Sequence, residues 1–335
     1  MTRTAAEDTD FTRSTEPFRR ELLAHCYRLL GSVDEAEDLV QETYLRAWRG
    51  YAAFEGRSSL RTWLYTIASN ACLTALETRS RRPLPSGLGA PATDVTAPAD
   101  ERGGTVRWLQ PIPDALVTVA PGDPAADPAP DPAAVAVTRE SLRLALVASF
   151  QYLPPRQRAV LLLRDVLAFP ATEVATMLEL SVPAVKSLLQ RARTRLQQVT
   201  PAADQIIEPT ETRARQLLDA YMKAFETSNA AALARLLRQD ATLELPPSAT
   251  WFAGAAAKAG AVAGLFSPGD WRMAPTQANG QPAAAVWLRG PDGRHHPYGL
   301  AVLTVSTSGI AGIVAIADPA LVDLFGFGPE PPPLN

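Results

Sequence analysis

The sequence predicts a multidomain protein in which two all-α blocks precede an α+β domain. Three observations predict it. At 335 residues the chain exceeds what one ordinary core organises. Eleven of its 30 prolines fall between Pro83 and Pro132, a density that forbids regular helix or internal sheet and marks a linker. Apolar residues recur at three- and four-residue spacing on both sides of that linker. After about residue 200 they form short runs punctuated by glycine and proline.

Composition narrows the function classes. Hydrophobic content of 47% and charged content of 20% suit a globular chain, and no run approaches the roughly 20 apolar residues of a membrane span. Residues 1–16 are polar and are expected to be disordered, with no apolar core of a signal peptide. The two cysteines, Cys26 and Cys72, lie inside helical apolar patterns and read as packed thiols, which implies a reducing cytoplasm. The net charge of −3 averages segments of opposite sign. Residues 17–82 carry 10 basic and 8 acidic side chains, and residues 83–135 carry 2 and 7. Residues 136–200 carry 9 and 4, and residues 201–335 carry 9 and 12. Phosphate attraction acts over a Debye length of about 8 Å, so the +5 of residues 136–200 decides, not the total.

The first block spans 17–82. Ser32-Val33-Asp34-Glu35 is a capping-box sequence, with Ser32 as N-cap and Glu35 reaching back. The helix it opens is expected to bury Ala36, Leu39, Val40, Thr43, Ala47 and Trp48, and to present Glu35, Asp38, Gln41, Glu42 and Arg46 outward. Ser59 starts the next helix, with an inner stripe of Leu60, Trp63, Leu64, Ile67, Ala71, Ala75 and Leu76. Arg61, Thr62, Tyr65, Thr66, Ser69 and Asn70 are placed outward, ahead of the cationic end Arg79, Arg81 and Arg82. An acidic helix face by itself is ordinary solvated surface, and aromatics at helical spacing are ordinary core. The long string Asp38-Leu39-Val40-Gln41-Glu42-Thr43-Tyr44-Leu45-Arg46-Ala47-Trp48, then Phe54, then Leu60 to Asn70 closely resembles region two of the sigma-70 family, in its compact extracytoplasmic-function branch. The resemblance implies that Glu35, Asp38, Gln41 and Glu42 bind the β′ clamp of core RNA polymerase. It implies too that Phe54, Arg57, Ser58, Arg61, Tyr65 and Asn70 capture unpaired bases of the −10 element. Extruded bases offset the cost of duplex opening when they land on aromatic or polar pockets.

The linker covers 83–135. As a flexible chain it spans roughly 40 Å root-mean-square, comparable with one DNA turn of about 34–36 Å. One island breaks it, Trp108-Leu109-Gln110-Pro111-Ile112-Pro113-Asp114, and Trp108, Leu109, Pro111 and Asp114 are expected to dock within the same chain.

The second block, 136–200, reads as four helices: Thr138–Leu153, Pro155–Leu167, Ala171–Leu178 and Val182–Val199. The last two form a helix-turn-helix pattern, with small Ala175 at the crossing and Ser181 as N-cap. With Val185, Leu188, Leu189, Ala192 and Leu196 inside, the outer face carries Ala184, Lys186, Ser187, Gln190, Arg191, Arg193 and Thr194. Cations hold phosphates, and Gln190 or Arg191 suits paired hydrogen bonds to base edges. A basic amphipathic helix without a partner is the bland alternative. The run from Val185 to Leu196 resembles sigma region four, which implies −35 recognition by Ala184, Lys186, Ser187, Gln190, Arg191 and Arg193 and a seat on the polymerase β flap. Two departures stand out. Glu179 occupies a turn position often held by glycine, and Leu189 stands where many relatives carry arginine.

Residues 208–327 are expected to form an α+β domain: one or two amphipathic helices over 210–237, then strands at Ala241–Leu245, Ala283–Arg289, Tyr298–Thr307 and Ile310–Ala317 in a mostly antiparallel sheet. Trp251-Phe252-Ala253-Gly254 and a short helix precede the last three. This order resembles the SnoaL-like, or nuclear-transport-factor-two-like, cone, and the Trp108–Asp114 island resembles a segment of factors that carry it. Residues 328–335 are expected to be a disordered tail. Some cone relatives are cyclases or isomerases, for which Asp240, Glu244, Asp318, His295 and His296 are the candidate groups. Asp240 reads as a helix end, Asp318 as a cap before Pro319, and the histidines as solvent-facing turn residues. No metal cluster, nucleophile elbow or phosphate loop occurs, so no catalytic residue, metal or cofactor is expected.

The expectation is therefore a sigma factor, not an enzyme, whose partners are core RNA polymerase and promoter DNA. Its C-terminal domain is expected to regulate, with a small-molecule or protein ligand left open and Trp251, Phe252 and Trp287 as core or interface. The alternatives are a stand-alone helix-turn-helix regulator and a DNA-tethered cyclase- or isomerase-like enzyme.

Overall fold

A computed structural model describes residues 5–96, 106–118, 137, 140–199 and 210–333. It divides into two compact units, Met1–Arg82 with Leu109–Thr200, and Pro83–Trp108 with Pro201–Asn335.

The first unit is all helical. It begins with α1 (Ala5–Thr15), α2 (Arg19–Leu30), α3 (Val33–Gly50) and α4 (Leu60–Leu76). Helix α2 is the centre of this part, buried continuously from Leu22 to Leu30. It stops at Gly31, whose φ of 71° is the left-handed region that glycine enters at little cost. Ser32 then caps α3 and Ser59 caps α4, the latter accepting from the Thr62 amide at 3.0 Å. Helix α3 buries Val33, Ala36, Val40, Thr43 and Ala47. Trp48 is instead 39% exposed, because a turn of about 100° beyond Ala47 carries it off the buried arc. The buried arc of α4 is wider than the sequence implies. Tyr65 and Ser69 lie inside it, beside Leu64, Ala68, Ala71 and Cys72, because α4 is packed by other helices on two sides.

The chain continues through α5 (Asp114–Val117), α6 (Leu144–Phe150), α7 (Pro155–Leu161), α8 (Ala171–Met177) and α9 (Val182–Val199). The expected single helix Thr138–Leu153 is broken before Leu144: Arg143 is extended, which lets Leu142 and Leu144, two residues apart, both turn inward. A π turn, Leu162–Val166, extends α7. Helices α8 and α9 are the helix-turn-helix. Its turn holds Glu179 at a left-handed φ of 53°, the conformation for which glycine is best suited.

The second unit is a mixed six-stranded sheet packed with helices. The order along the chain is α10 (Glu211–Glu226), α11 (Ala230–Leu236), β1 (Leu237–Glu244), β2 (Trp251–Ala253), α12 (Ala255–Ala263), β3 (Trp271–Ala278), β4 (Gln281–Arg289), β5 (His295–Ser306), β6 (Gly309–Ile316) and α13 (Ala320–Leu324). The strands lie in the order β2-β1-β6-β5-β4-β3, parallel only between β1 and β6. This is an α+β domain with a mostly antiparallel sheet, the arrangement the sequence leads one to expect. Strand β3 escaped the sequence reading because Pro275 interrupts its run; it is an edge strand, where a missing N–H is tolerated. The inner face of the sheet (Leu243, Val286, Ala301, Leu303, Ile313) packs against Leu218, Tyr221 and Phe225 of α10.

The linker is no uniform flexible spacer. Residues 83–96 belong to the cone unit, where Ala92 pairs in parallel with Phe252 and donates its amide to Trp251 O at 2.8 Å. Trp251 Nε1 in turn donates to Gly89 O at 2.8 Å. Residues 109–118 belong to the helical unit.

Candidate polymerase and nucleic-acid interfaces

Helix α3 presents Asp38 and Gln41 exposed, with Glu42 pairing to Arg46 at 2.7 Å one turn on. Beside them Leu45 is 50% exposed and Trp48 39%. Two large apolar side chains thus remain partly exposed among the acidic and polar groups of this face. Glu35 is set apart. Its carboxylate is 17% exposed and takes Arg82 at 2.9 Å and Arg79 at 3.1 Å, tying α3 to the chain that follows α4.

The candidates for base capture divide. Phe54 stacks on Trp63, with ring centroids 4.8 Å apart and planes 27° apart. Arg57 and Ser58 are exposed in the preceding loop, Arg57 paired to Glu55. On α4, Arg61 makes a forked ion pair with Glu21, the closest approach being 3.0 Å. Tyr65 is fully buried, with His25 on one side and Phe169 on another. Asn70 donates to Met177 O at 3.1 Å and Thr62 donates to Glu173 Oε2 at 3.0 Å. Arg61, Thr62, Tyr65 and Asn70 thus share one face of α4, and α8 with the loop before it lies on that face. Ser69, placed outward by the sequence, instead bonds His25 Nε2 at 2.9 Å beneath the surface. Burial, with Arg28 and Arg61 nearby, lowers the His25 pKa to about 3, so the ring is neutral at physiological pH.

Two polar groups that the sequence did not single out join the helices. Gln110 is the first. Its Oε1 accepts from Ser32 Oγ at 2.7 Å and from the Val33 amide at 2.9 Å, its Nε2 donates to Asp34 at 3.1 Å, and its carbonyl accepts from Tyr27 at 2.7 Å. It therefore satisfies an α3 N-terminus that would otherwise be half-capped. Leu109, Pro111 and Asp114 are buried around it, with Leu109 against Gly31, while Trp108 is half-buried. Arg158 is the second. It is buried, has no carboxylate partner among the described residues, and donates to Leu29 O, to Gln151 Oε1 at 2.8 Å and to the carbonyls of Gln151 and Leu153. Gln151 reaches the carbonyl of Arg28 at 3.4 Å. A cation at the C-terminal end of α2 is favourably placed against the helix dipole. Burial lowers the Arg158 pKa to about 10, which leaves it charged at neutral pH. Gln110 lies in no charged or periodic pattern, and Arg158 enters the sequence reading only as one of the nine cations of residues 136–200.

Helix α9 buries Val185, Leu189 and Ala192 and half-buries Leu188 and Leu196. Ser181 Oγ accepts from the Ala184 amide at 3.3 Å. Lys186, Ser187, Gln190 and Arg191 are exposed together, and Ala184 is half-buried beside them. Arg193 is also exposed but forks onto Asp165 of the π turn at 2.7 and 2.9 Å, so part of its charge is already matched. An open hollow of about 420 Å³ lies along Gln157, Gln190, Arg191, Thr194, Arg195 and Gln198. Donors dominate this surface, as an anionic polymer requires.

The five candidate groups of the cone do not form a reaction centre. Asp240 is not at a helix end; it lies on β1, paired to Arg238 at 2.7 Å. Asp318 lies just ahead of α13, before Pro319, and accepts from the Ala320 amide at 3.0 Å. His296 pairs with Asp292 across the hairpin turn at 2.9 Å, and His295 bonds Gly269 O at 3.0 Å. Glu244 is buried, takes the Ser86 amide at 2.8 Å, and is held above the usual carboxylate range by desolvation. Trp287 is fully buried against Phe327, so it is core. Among the described residues no three His, Cys, Asp or Glu side chains gather as metal ligands, and no helix is long and apolar enough to cross a membrane.

A capped helical bundle, a cationic helix-turn-helix and an appended cone define a modular transcription factor. Comparison with known proteins places it further. The Sigma-70 region 2 family model matches residues 15–82, and the Sigma-70, region 4 model matches residues 143–196. The chain is 50% identical over 321 residues to the ECF RNA polymerase sigma factor SigG of Mycobacterium tuberculosis, covering 95% of this chain and 84% of that protein. It is 28% identical over 181 residues to the RNA polymerase sigma-H factor of Pseudomonas aeruginosa, covering 54% and 81%. The crystal structure of the M. tuberculosis extracytoplasmic function sigma factor SigJ shares the fold, with a TM-score of 0.59 at 23% identity over 95% of this chain and all of that one. The chain belongs to the ECF RNA polymerase sigma factor family. It is a transcription initiation factor and not an enzyme.

Proposed function

We propose that this sigma factor works in the cytoplasm, binding core RNA polymerase through the Asp38, Gln41, Glu42, Leu45 and Trp48 face of α3. Phe54, Arg57, Ser58, Arg61, Tyr65 and Asn70 receive the opened −10 strand. Ala184, Lys186, Ser187, Gln190, Arg191 and Arg193 lie against the −35 element. The cone, with no converging reactive groups, regulates. The observation that carries this reading is the N-capped helix α9, whose exposed face gathers Lys186, Ser187, Gln190 and Arg191 over an apolar seam. That is the chemistry of a major-groove reader.

Run-off transcription tests it. Core enzyme supplied with the full chain is expected to start at defined promoters, and Gln190→Ala with Arg191→Ala is expected to lose about tenfold or more at each, since a good base contact is worth about 1–3 kcal/mol. A chain that neither co-elutes with core nor directs a start site overturns the proposal.

A further inference from the structure

The face of α4 that carries the proposed base-capture residues is already filled, and what fills it has a recognisable chemistry. Phe169 is 5% exposed, its ring centroid 5.2 Å from that of Tyr65 at 64°. The Arg61 guanidinium carbon lies 4.7 Å from the Phe169 ring centre and 4.8 Å from that of Tyr65. The Arg61 guanidinium covers the Phe169 ring as it would cover an unstacked base, while Tyr65 meets that ring edge-on. Glu173 places an anionic oxygen 3.0 Å from Thr62 Oγ1, where a phosphate oxygen would serve the same donor. Met177 O meets the Asn70 amide at 3.1 Å, as an acceptor on a base edge would. At these two hydrogen bonds the α4 side chain donates and the α8 side accepts, which is the polarity of a protein–nucleic-acid contact.

The local backbone is shaped to present this ring. The π turn Leu162–Val166 is followed by Ala168 in the left-handed region at φ 56°, unusual for a residue with a side chain. Phe169 comes next, its amide bonded to Leu163 O at 2.9 Å and its carbonyl held by Arg164, and Pro170 opens α8.

We infer that Phe169 and Glu173 occupy region two's single-strand site as stand-ins for a base and its phosphate, so that region four and the opened promoter strand compete for the same face of α4. The inference rests on the assignment of Arg61, Tyr65 and Asn70 to base capture. It predicts that the free factor is a poor single-strand binder because its own chain fills the site.

The test uses the full chain without polymerase and a fluorescein-labelled, random-sequence 12-nucleotide single-stranded DNA pool, read by anisotropy. Phe169→Ala and Glu173→Gln are each expected to tighten binding about fivefold or more. Adding Tyr65→Ala is expected to erase the gain, and binding to a duplex of the same length is expected to stay unchanged. Glu173→Gln retains size and packing, so it answers the question if Phe169→Ala fails to fold. No gain in Glu173→Gln, or a gain that survives Tyr65→Ala, overturns the inference. Run-off transcription with core separates the two layers. If Tyr65→Ala impairs promoter opening there while the anisotropy gain is missing, the stand-in idea fails and base capture stands. If Tyr65→Ala leaves promoter opening intact, the base-capture assignment itself fails.

Discussion

Glu179 and Glu244 show two ways in which a single residue departs from its local optimum. Glu179 holds a left-handed turn that costs a side-chain residue on the order of 1 kcal/mol. Glu179→Gly is expected to raise the midpoint of chemical denaturation by an amount worth about 1 kcal/mol, less glycine's own entropy cost. Glu244 is buried with one amide donor, and desolvation raises its pKa. A carboxyl whose folded pKa exceeds its unfolded value contributes stability in full below the unfolded pKa, near 4.5. That contribution is lost as pH rises through the folded value. Glu244→Gln is therefore expected to melt about 2–4 °C higher than the parent at pH 8, with the difference vanishing near pH 4. Thermal melts across that range check it, and a variant that melts lower at pH 8 contradicts it. His25 has the opposite slope. Its folded pKa of about 3 lies below the ordinary 6.5, so its contribution is present above pH 6.5 and is lost as pH falls toward 3.

At the scale of elements, α3 carries the most direct prediction. Asp38 is exposed and Glu42 part-exposed, and the fold contacts of the helix lie on the other side, at Ala36, Val40, Thr43 and Ala47. Asp38→Lys with Glu42→Lys is expected to abolish co-elution with core polymerase while the circular dichroism melt stays within about 0.5 kcal/mol of the parent. Unchanged core affinity removes this face from the interface. The same helix shows what was legible in the sequence. Ser32 and Ser59 as caps, the α9 seam and the helix-turn-helix all follow from local rules that act within one or two turns. Tyr65 and Ser69 were placed outward because the period of one helix cannot report that α4 is packed on two sides. The break before Leu144 and the edge strand β3 escaped for a related reason. Each is settled by what tertiary packing demands of Leu142, Leu144 and Pro275, against their local pattern.

At the scale of the whole molecule, short polar hooks hold distant stretches of chain. Gln110 fastens the later part of the linker to the start of α3, and Arg158 fastens α7 to the end of α2. Gln110→Ala strips an acceptor from Ser32 and the Val33 amide and is expected to destabilise the helical unit by about 1–3 kcal/mol in urea titration. A loss under 0.5 kcal/mol shows that water replaces the side chain there. None of this was visible in composition, because a glutamine among prolines carries neither charge nor period.

The β2 rim of the cone has a consequence for handling and turnover. A sheet margin three residues long, Trp251–Ala253, carries its own cover in the chain around Gly89–Ala92, which takes up Trp251 through two hydrogen bonds. Margins left bare invite pairing with other molecules. Proteolytic nicking that frees this cover would convert a covered edge into one that seeks a foreign strand, so clipped preparations should gain mass by light scattering relative to intact ones.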